Sequence, residues 1–110
     1  HTVFTDYHEM QALRFMTVTL NVQAQWIERA PAVCHVDGTA RPQLLDPINT
    51  PSFYKTVLEY KRLSGLPMLI NTSYNMHEEP IVCSPADAIR AFQVGHLDAL
   101  AIGPFWVPMA

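Results

Sequence analysis

At 110 residues, with 49% apolar and 15% charged side chains, the chain can bury one modest core but is short for two independent domains. Seven Lys and Arg against ten Asp and Glu leave a net charge of −3, which argues against a general nucleic-acid binder, because displacing counterions from phosphates takes a basic face. No apolar run reaches the roughly 18–20 residues of a membrane span, and the opening HTVFTDYHEM lacks the basic-then-apolar order of a secretion signal.

Along the chain, residues 15–22 alternate, with Met16, Val18, Leu20 and Val22 on one face and Thr17, Thr19 and Asn21 on the other, the period of a half-buried strand. Residues 23–30 predict a short helix with Trp26 and Ile27 turned inward, stopped by Pro31. Residues 32–36 read as a short strand, Asp37-Gly38 as a turn, and 39–45 as a hairpin return. The best-marked helix comes next: Thr50 to cap it, Pro51 at its first position, a stripe of Phe53, Tyr54, Val57, Leu58 and Lys61, and Ser64-Gly65 as the stop. A strand is expected near Met68, after Pro67. Beyond the polar loop 71–80, Ser84-Pro85-Ala86-Asp87 has capping-box spacing, Ala88, Ile89 and Phe92 form a buried edge, and Gly95 ends the helix. Residues 97–102 predict a last strand, broken at Gly103-Pro104. This order implies an α/β or α+β domain, a mixed sheet with flanking helices, with residues 1–110 as one domain. The start at His1 without an initiator methionine reads as a piece of something longer.

Three constellations could carry chemistry. Asn71-Thr72-Ser73-Tyr74-Asn75 comes after an expected strand and offers hydroxyls, carboxamides and backbone N–H groups, donors suited to phosphate, carboxylate or carbamoyl oxygens. The bland alternative is an ordinary polar turn. His35-Val36-Asp37-Gly38-Thr39-Ala40-Arg41 places Arg41, with its planar fork, as an anion ligand, whereas a metal at His35 and Asp37 lacks a third ligand at suitable spacing. The alternative there is a hairpin with a solvated arginine. His77-Glu78-Glu79-Pro80 reads as a solvated acidic loop with nothing in sequence to tune a general acid or base. Cys34 and Cys83 form no disulfide framework, so a reducing, cytoplasmic setting is expected, and both read as buried structural thiols.

Taken together, the His35–Arg41 block, Phe53-Tyr54 opening a helix, Asn71–Asn75, and Glu79-Pro80-Ile81-Val82-Cys83 resemble the C-terminal, YrdC-like region of O-carbamoyltransferases. That family includes nodulation-factor and antibiotic carbamoyltransferases. The resemblance implies a YrdC-like twisted sheet, here an incomplete piece of it. It also implies that the parent enzyme activates carbamoyl phosphate with ATP and Mg2+ as a carbamoyl-adenylate. An N-terminal actin-like ATPase-type domain carrying a metal, absent from this chain, then transfers the carbamoyl group to the hydroxyl of a small-molecule acceptor.

Carried over residue by residue, Arg41 and Ser73 are the expected catalytic pair: Arg41 holds phosphate, and Ser73 and Asn75 bond phosphate or carbamoyl oxygens. His35, Thr39, Asn71 and Thr72 line the same pocket, and no metal ligand is implied in this chain. The family pattern commonly has Gly where this chain has Glu78 and Phe where it has Tyr74. With the actin-like half missing, the isolated chain is expected to be catalytically silent. Two other readings compete: a non-catalytic interaction or scaffold domain with a decayed ligand site, which the acidic charge favours, and a tRNA-threonylcarbamoyl type of ATP-binding domain.

Overall fold

The computed structural model describes residues 3–5 and 11–109, so of the N-terminal decapeptide read for a secretion signal only 3–5 is described. It is an α+β structure whose elements are β1 (Leu20–Asn21), α1 (Ala24–Arg29), β2 (Thr39–Ala40), α2 (Pro51–Ser64), α3 (Pro85–Val94), β3 (Ala99–Ile102) and β4 (Phe105–Pro108). Where one mixed sheet was expected, the described strands form two separate two-stranded antiparallel sheets, β1 with β2 and β3 with β4. The described residues group into two compact units that part between Ile70 and Asn71.

In the first unit the alternating stretch is strand only at its end. Residues Gln11–Phe15 form a 3-10 turn that buries Leu13 completely. The Thr17 hydroxyl donates to the Ala12 carbonyl at 2.9 Å, and Met16 takes a left-handed φ of 54°. A hydroxyl that satisfies a local carbonyl offers the backbone an alternative to the ladder, so alternation there does not become strand. Strand β1 pairs with β2 in the register Leu20↔Ala40 and Asn21↔Thr39, and Val22 bridges to Phe4.

The expected strand at 32–36 is instead a 3-10 turn, Pro31–Val33, closed by Val33 N–H to the Ala30 carbonyl and Cys34 N–H to the Pro31 carbonyl, both at 3.1 Å. Proline pre-sets φ for such a turn and has no N–H to give a ladder. The hairpin partner of 39–40 is therefore β1. Of the two side chains expected inward on α1, Trp26 is buried and Ile27 is not, since a helix of six residues has room for one inward position per turn. Trp26 sits with Val22 and Ala40, and Val3, Phe4, Cys34, Leu66 and Met68 pack around them.

Helix α2 runs where expected, from Pro51 at its first turn to a left-handed Gly65 (φ 75°) whose N–H donates to the Lys61 carbonyl at 2.8 Å. Thr50 does not cap it through its side chain; its hydroxyl exchanges hydrogen bonds with the Asp46 backbone, both at 3.0 Å. Residues 66–70 form no strand, and Leu66 and Met68 pack on the Trp26 cluster as a coil.

In the second unit, α3 starts as its capping box requires: the Asp87 N–H donates to Ser84 Oγ at 3.1 Å, and that hydroxyl donates to the Asp87 carboxylate at 2.7 Å. The serine hydroxyl, aided by the Cys83 thiol at 3.5 Å, holds the Asp87 pKa below its ordinary value. Cys83 is exposed, contrary to a buried structural thiol, while Cys34 is half-buried against the core.

The helix ends at Val94 with Gly95 as its cap, as the sequence indicates, but the left-handed residue is the one after it. Gly95 is still right-handed (φ −79°), and His96 takes the left-handed position (φ 48°). Leu97 N–H then bonds the Phe92 carbonyl and His96 N–H the Gln93 carbonyl, each at 3.3 Å, the paired bonds of a Schellman ending. Glycine is required at 95 by proximity, because a Cβ there would stand 2.8 Å from the Ala91 carbonyl oxygen. Helix α3 buries Ala88, Ala91 and Phe92 and packs on β3, where Leu100 is buried. A two-residue turn at Gly103-Pro104 returns the chain as β4, whose residues are all exposed.

Candidate functional site

The His35–Arg41 block forms a self-bonded turn at the entry to β2. Gly38 N–H donates to the His35 carbonyl at 3.0 Å, and His35 N–H to the Thr39 carbonyl at 2.7 Å. Gly38 holds a φ of 79° there, a conformation that a Cβ would oppose. Asp37 Oδ1 accepts both the Thr39 N–H (3.0 Å) and the Thr39 hydroxyl (2.8 Å), and that hydroxyl hydrogen bond, then the backbone one, keeps the Asp37 pKa below its ordinary value.

Because the Thr39 hydroxyl gives its one proton to Asp37, it accepts from His35 Nδ1 at 2.9 Å. A neutral His35 thus carries its proton on Nδ1 and leaves Nε2 as an acceptor. His35 and Thr39 are brought together, with Asp37 as the group that orients them. Arg41 stands just past the end of β2 and is exposed.

The cationic inventory makes Arg41 distinctive. Arg14 pairs with Asp46, Arg62 with Glu59 and Arg90 with Glu79, while Arg29 lies 4.7 Å from the Trp26 ring centroid and donates to the Gly65 carbonyl. Of the five arginines, Arg41 alone has no acceptor or ring partner among the described residues. None of its five N–H groups is engaged by the described residues.

The Asn71–Asn75 segment belongs to the second unit. Asn71, Thr72 and Ser73 are exposed, and the Thr72 and Ser73 hydroxyls bond to nothing among the described residues. The next two residues are held firmly. Tyr74 donates its hydroxyl to the Ala88 carbonyl of α3 at 2.5 Å, a bond that phenylalanine could not make, and the Tyr74 carbonyl accepts the Val82 N–H at 2.9 Å.

Asn75 Nδ2 donates to the carbonyls of Met76 and Glu79, each at 3.0 Å. Glu79 N–H donates to the Met76 carbonyl at 3.1 Å, closing a four-residue turn with Glu78 at its third position and φ 62°. That is the type II pattern, in which the third residue must accept positive φ. Across the loop, Arg90 of α3 bonds Glu79 with both nitrogens, at 3.1 and 2.5 Å, and this carboxylate keeps the Arg90 pKa above its ordinary value. Glu79 is therefore a structural anion, not a free acid or base. Neither the Glu79–Arg90 pair nor the turn could be read from sequence spacing: the two charges lie 11 positions apart, in a loop and a helix.

Glu78→Gly is expected to stabilise the protein by about 1 kcal/mol, because glycine removes the left-handed penalty at that position. Urea melts of both proteins, followed by far-UV circular dichroism, check this, and a destabilised glycine variant would show that the Glu78 side chain matters more than its φ.

Among the described residues no three His, Cys, Asp or Glu side chains stand together as a metal cage. The Arg41 guanidinium in the first unit and the Thr72 and Ser73 hydroxyls in the second each suit oxygens of an anionic ligand.

Residues 1–108 match the family model described as "Carbamoyltransferase C-terminus", and the chain belongs to that family. It is 40% identical over 95 residues to nodulation protein NolO of Bradyrhizobium diazoefficiens, covering 86% of this chain and 17% of that protein. It is 35% identical over 97 residues to nodulation protein NolNO of Sinorhizobium fredii (88% and 14%), and 32% identical over 84 residues to nodulation protein U of Rhizobium tropici (76% and 14%). The chain thus spans 14–17% of the length of these relatives. No helix among the described residues is long and apolar enough to cross a membrane.

Proposed function

We propose that the chain supplies the oxyanion- and carbamoyl-binding groups of an O-carbamoyltransferase. In this reading Arg41 holds the phosphate of carbamoyl phosphate or of the carbamoyl-adenylate, and Ser73 bonds the same anion. His35, Thr39, Asn71, Thr72 and Asn75 are the further ligand-binding residues of this reading. In the parent enzyme carbamoyl phosphate, water and ATP (taken as its Mg2+ complex) would give the carbamoyl-adenylate with release of phosphate and pyrophosphate, and an actin-like ATPase-type domain would pass the carbamoyl group to a small-molecule hydroxyl with release of AMP. The carrying observation is that the Arg41 guanidinium has no partner among the described residues, whereas each of the four other arginines is engaged internally. An exposed arginine without a partner contributes little to stability, and a charged donor held at a strand end fits anion capture.

Titration calorimetry of the full-length protein with carbamoyl phosphate and with ATP tests this. Arg41→Ala is expected to weaken binding roughly 10- to 150-fold, the range for hydrogen bonds to charged groups, and Ser73→Ala roughly 2- to 10-fold. Unchanged affinity in both variants overturns the assignment and favours the scaffold reading. The acidity that first favoured a scaffold is weakened at Glu79, which Arg90 neutralises.

A further inference from the structure

We infer that Asn75 reads the amide end of the carbamoyl group, as a hydrogen-bond acceptor, and so sets selectivity for carbamoyl over other acyl phosphates. The inference rests on the proposed function. A carboxamide has two N–H donors and one acceptor oxygen. Both donors of Asn75 are engaged, by the Met76 and Glu79 carbonyls at 3.0 Å each. Because those partners are carbonyl oxygens, which only accept, the nitrogen must be the atom that faces them, and the amide cannot be flipped without setting oxygen against oxygen. Asn75 Oδ1 has no donor among the described residues.

The phosphate oxygens of an acyl phosphate or of an adenylate carry no proton at neutral pH and only accept, so Asn75 Oδ1 cannot bond them. The carbamoyl group differs from acetyl in carrying NH2 where acetyl carries CH3, and it therefore presents the donors that Oδ1 lacks. This narrows the expected role of Asn75, from bonding phosphate or carbamoyl oxygens to bonding the carbamoyl nitrogen. The oxygen is also held in place beforehand. Turning the amide breaks two hydrogen bonds, and one of its anchors, Glu79, is tied to α3 through Arg90 and to Met76 through its own N–H. Preorganised acceptors discriminate because an analogue without the N–H leaves them unpaired.

Calorimetry of the full-length protein with carbamoyl phosphate, acetyl phosphate and inorganic phosphate tests the inference. The wild type is expected to prefer carbamoyl over acetyl phosphate by about 10-fold, the scale of one well-placed hydrogen bond. Asn75→Ala should bring that ratio close to one and leave inorganic phosphate binding within about two-fold. Arg90→Gln, which loosens the anchor without touching Asn75, should lower the ratio part of the way. Equal wild-type affinity for the two acyl phosphates overturns the inference whatever the variants do, and leaves the proposed function standing. Failure to bind any of the three phosphates overturns both.

Discussion

Trp26→Ala is expected to cost about 3–5 kcal/mol, the range for emptying a large aromatic site in a core. Trp26 is 7% exposed and has Val22 and Ala40 as its buried neighbours. Val3, Phe4, Cys34, Leu66 and Met68 pack around these three, so removing the ring empties the centre of the cluster and strips all of them of their shared contact. Against a typical domain stability of roughly 5–15 kcal/mol, that loss takes the unit holding His35, Thr39 and Arg41 close to unfolding. Urea denaturation followed by circular dichroism measures it. A loss below about 1 kcal/mol would mean that the ring is dispensable and that the β1–β2 turn is held by its hydrogen bonds.

Phe92→Ala is expected to be as costly in the second unit, again about 3–5 kcal/mol. Phe92 is 5% exposed, beside Ala91 at 1%, on the face of α3 that packs on β3, where Leu100 is 7% exposed. The same helix carries Ala88 and Arg90, which anchor Tyr74 and Glu79, so losing α3 would release the loop beyond Ser73. Ile89, one position from the buried face, is 48% exposed, and Ile89→Ala should cost about 1 kcal/mol or less. Comparable losses for the two variants would contradict the orientation of α3.

The contrast between these two positions shows which features were legible in the sequence. Helix α3 was readable because its capping box and apolar spacing are local signals, and so was α2, bracketed by Pro51 and Gly65. Which side of α3 is buried was only partly readable, since Ile89 and Ala88 are both apolar and the choice between them is made by β3. The strands were harder. Alternation from 15 to 22 met a competing local bond from Thr17, and β4 was missed because Gly103-Pro104 reads as a stop as well as a turn.

At the candidate site, residue types were legible and their hydrogen-bond roles were not. Arg41 could be named from its place in the motif. That it alone of the arginines lacks a partner among the described residues depends on where Asp46, Glu59, Glu79 and Trp26 fall in space. Asn75 could be named as a ligand, but which end of its amide is free depends on two backbone carbonyls that no sequence pattern announces. Glu78 is the converse case: the departure from glycine was visible in the motif, and the φ of 62° gives its physical meaning.

The proposed function turns on Arg41 and Ser73 holding one and the same anion. A structure of the full-length protein with carbamoyl phosphate bound is the decisive measurement. The Arg41 guanidinium and the Ser73 hydroxyl are expected on one phosphate, each about 2.6–3.2 Å from its oxygens. A phosphate seated on other residues, with Arg41 and Ser73 in separate cavities, would contradict it.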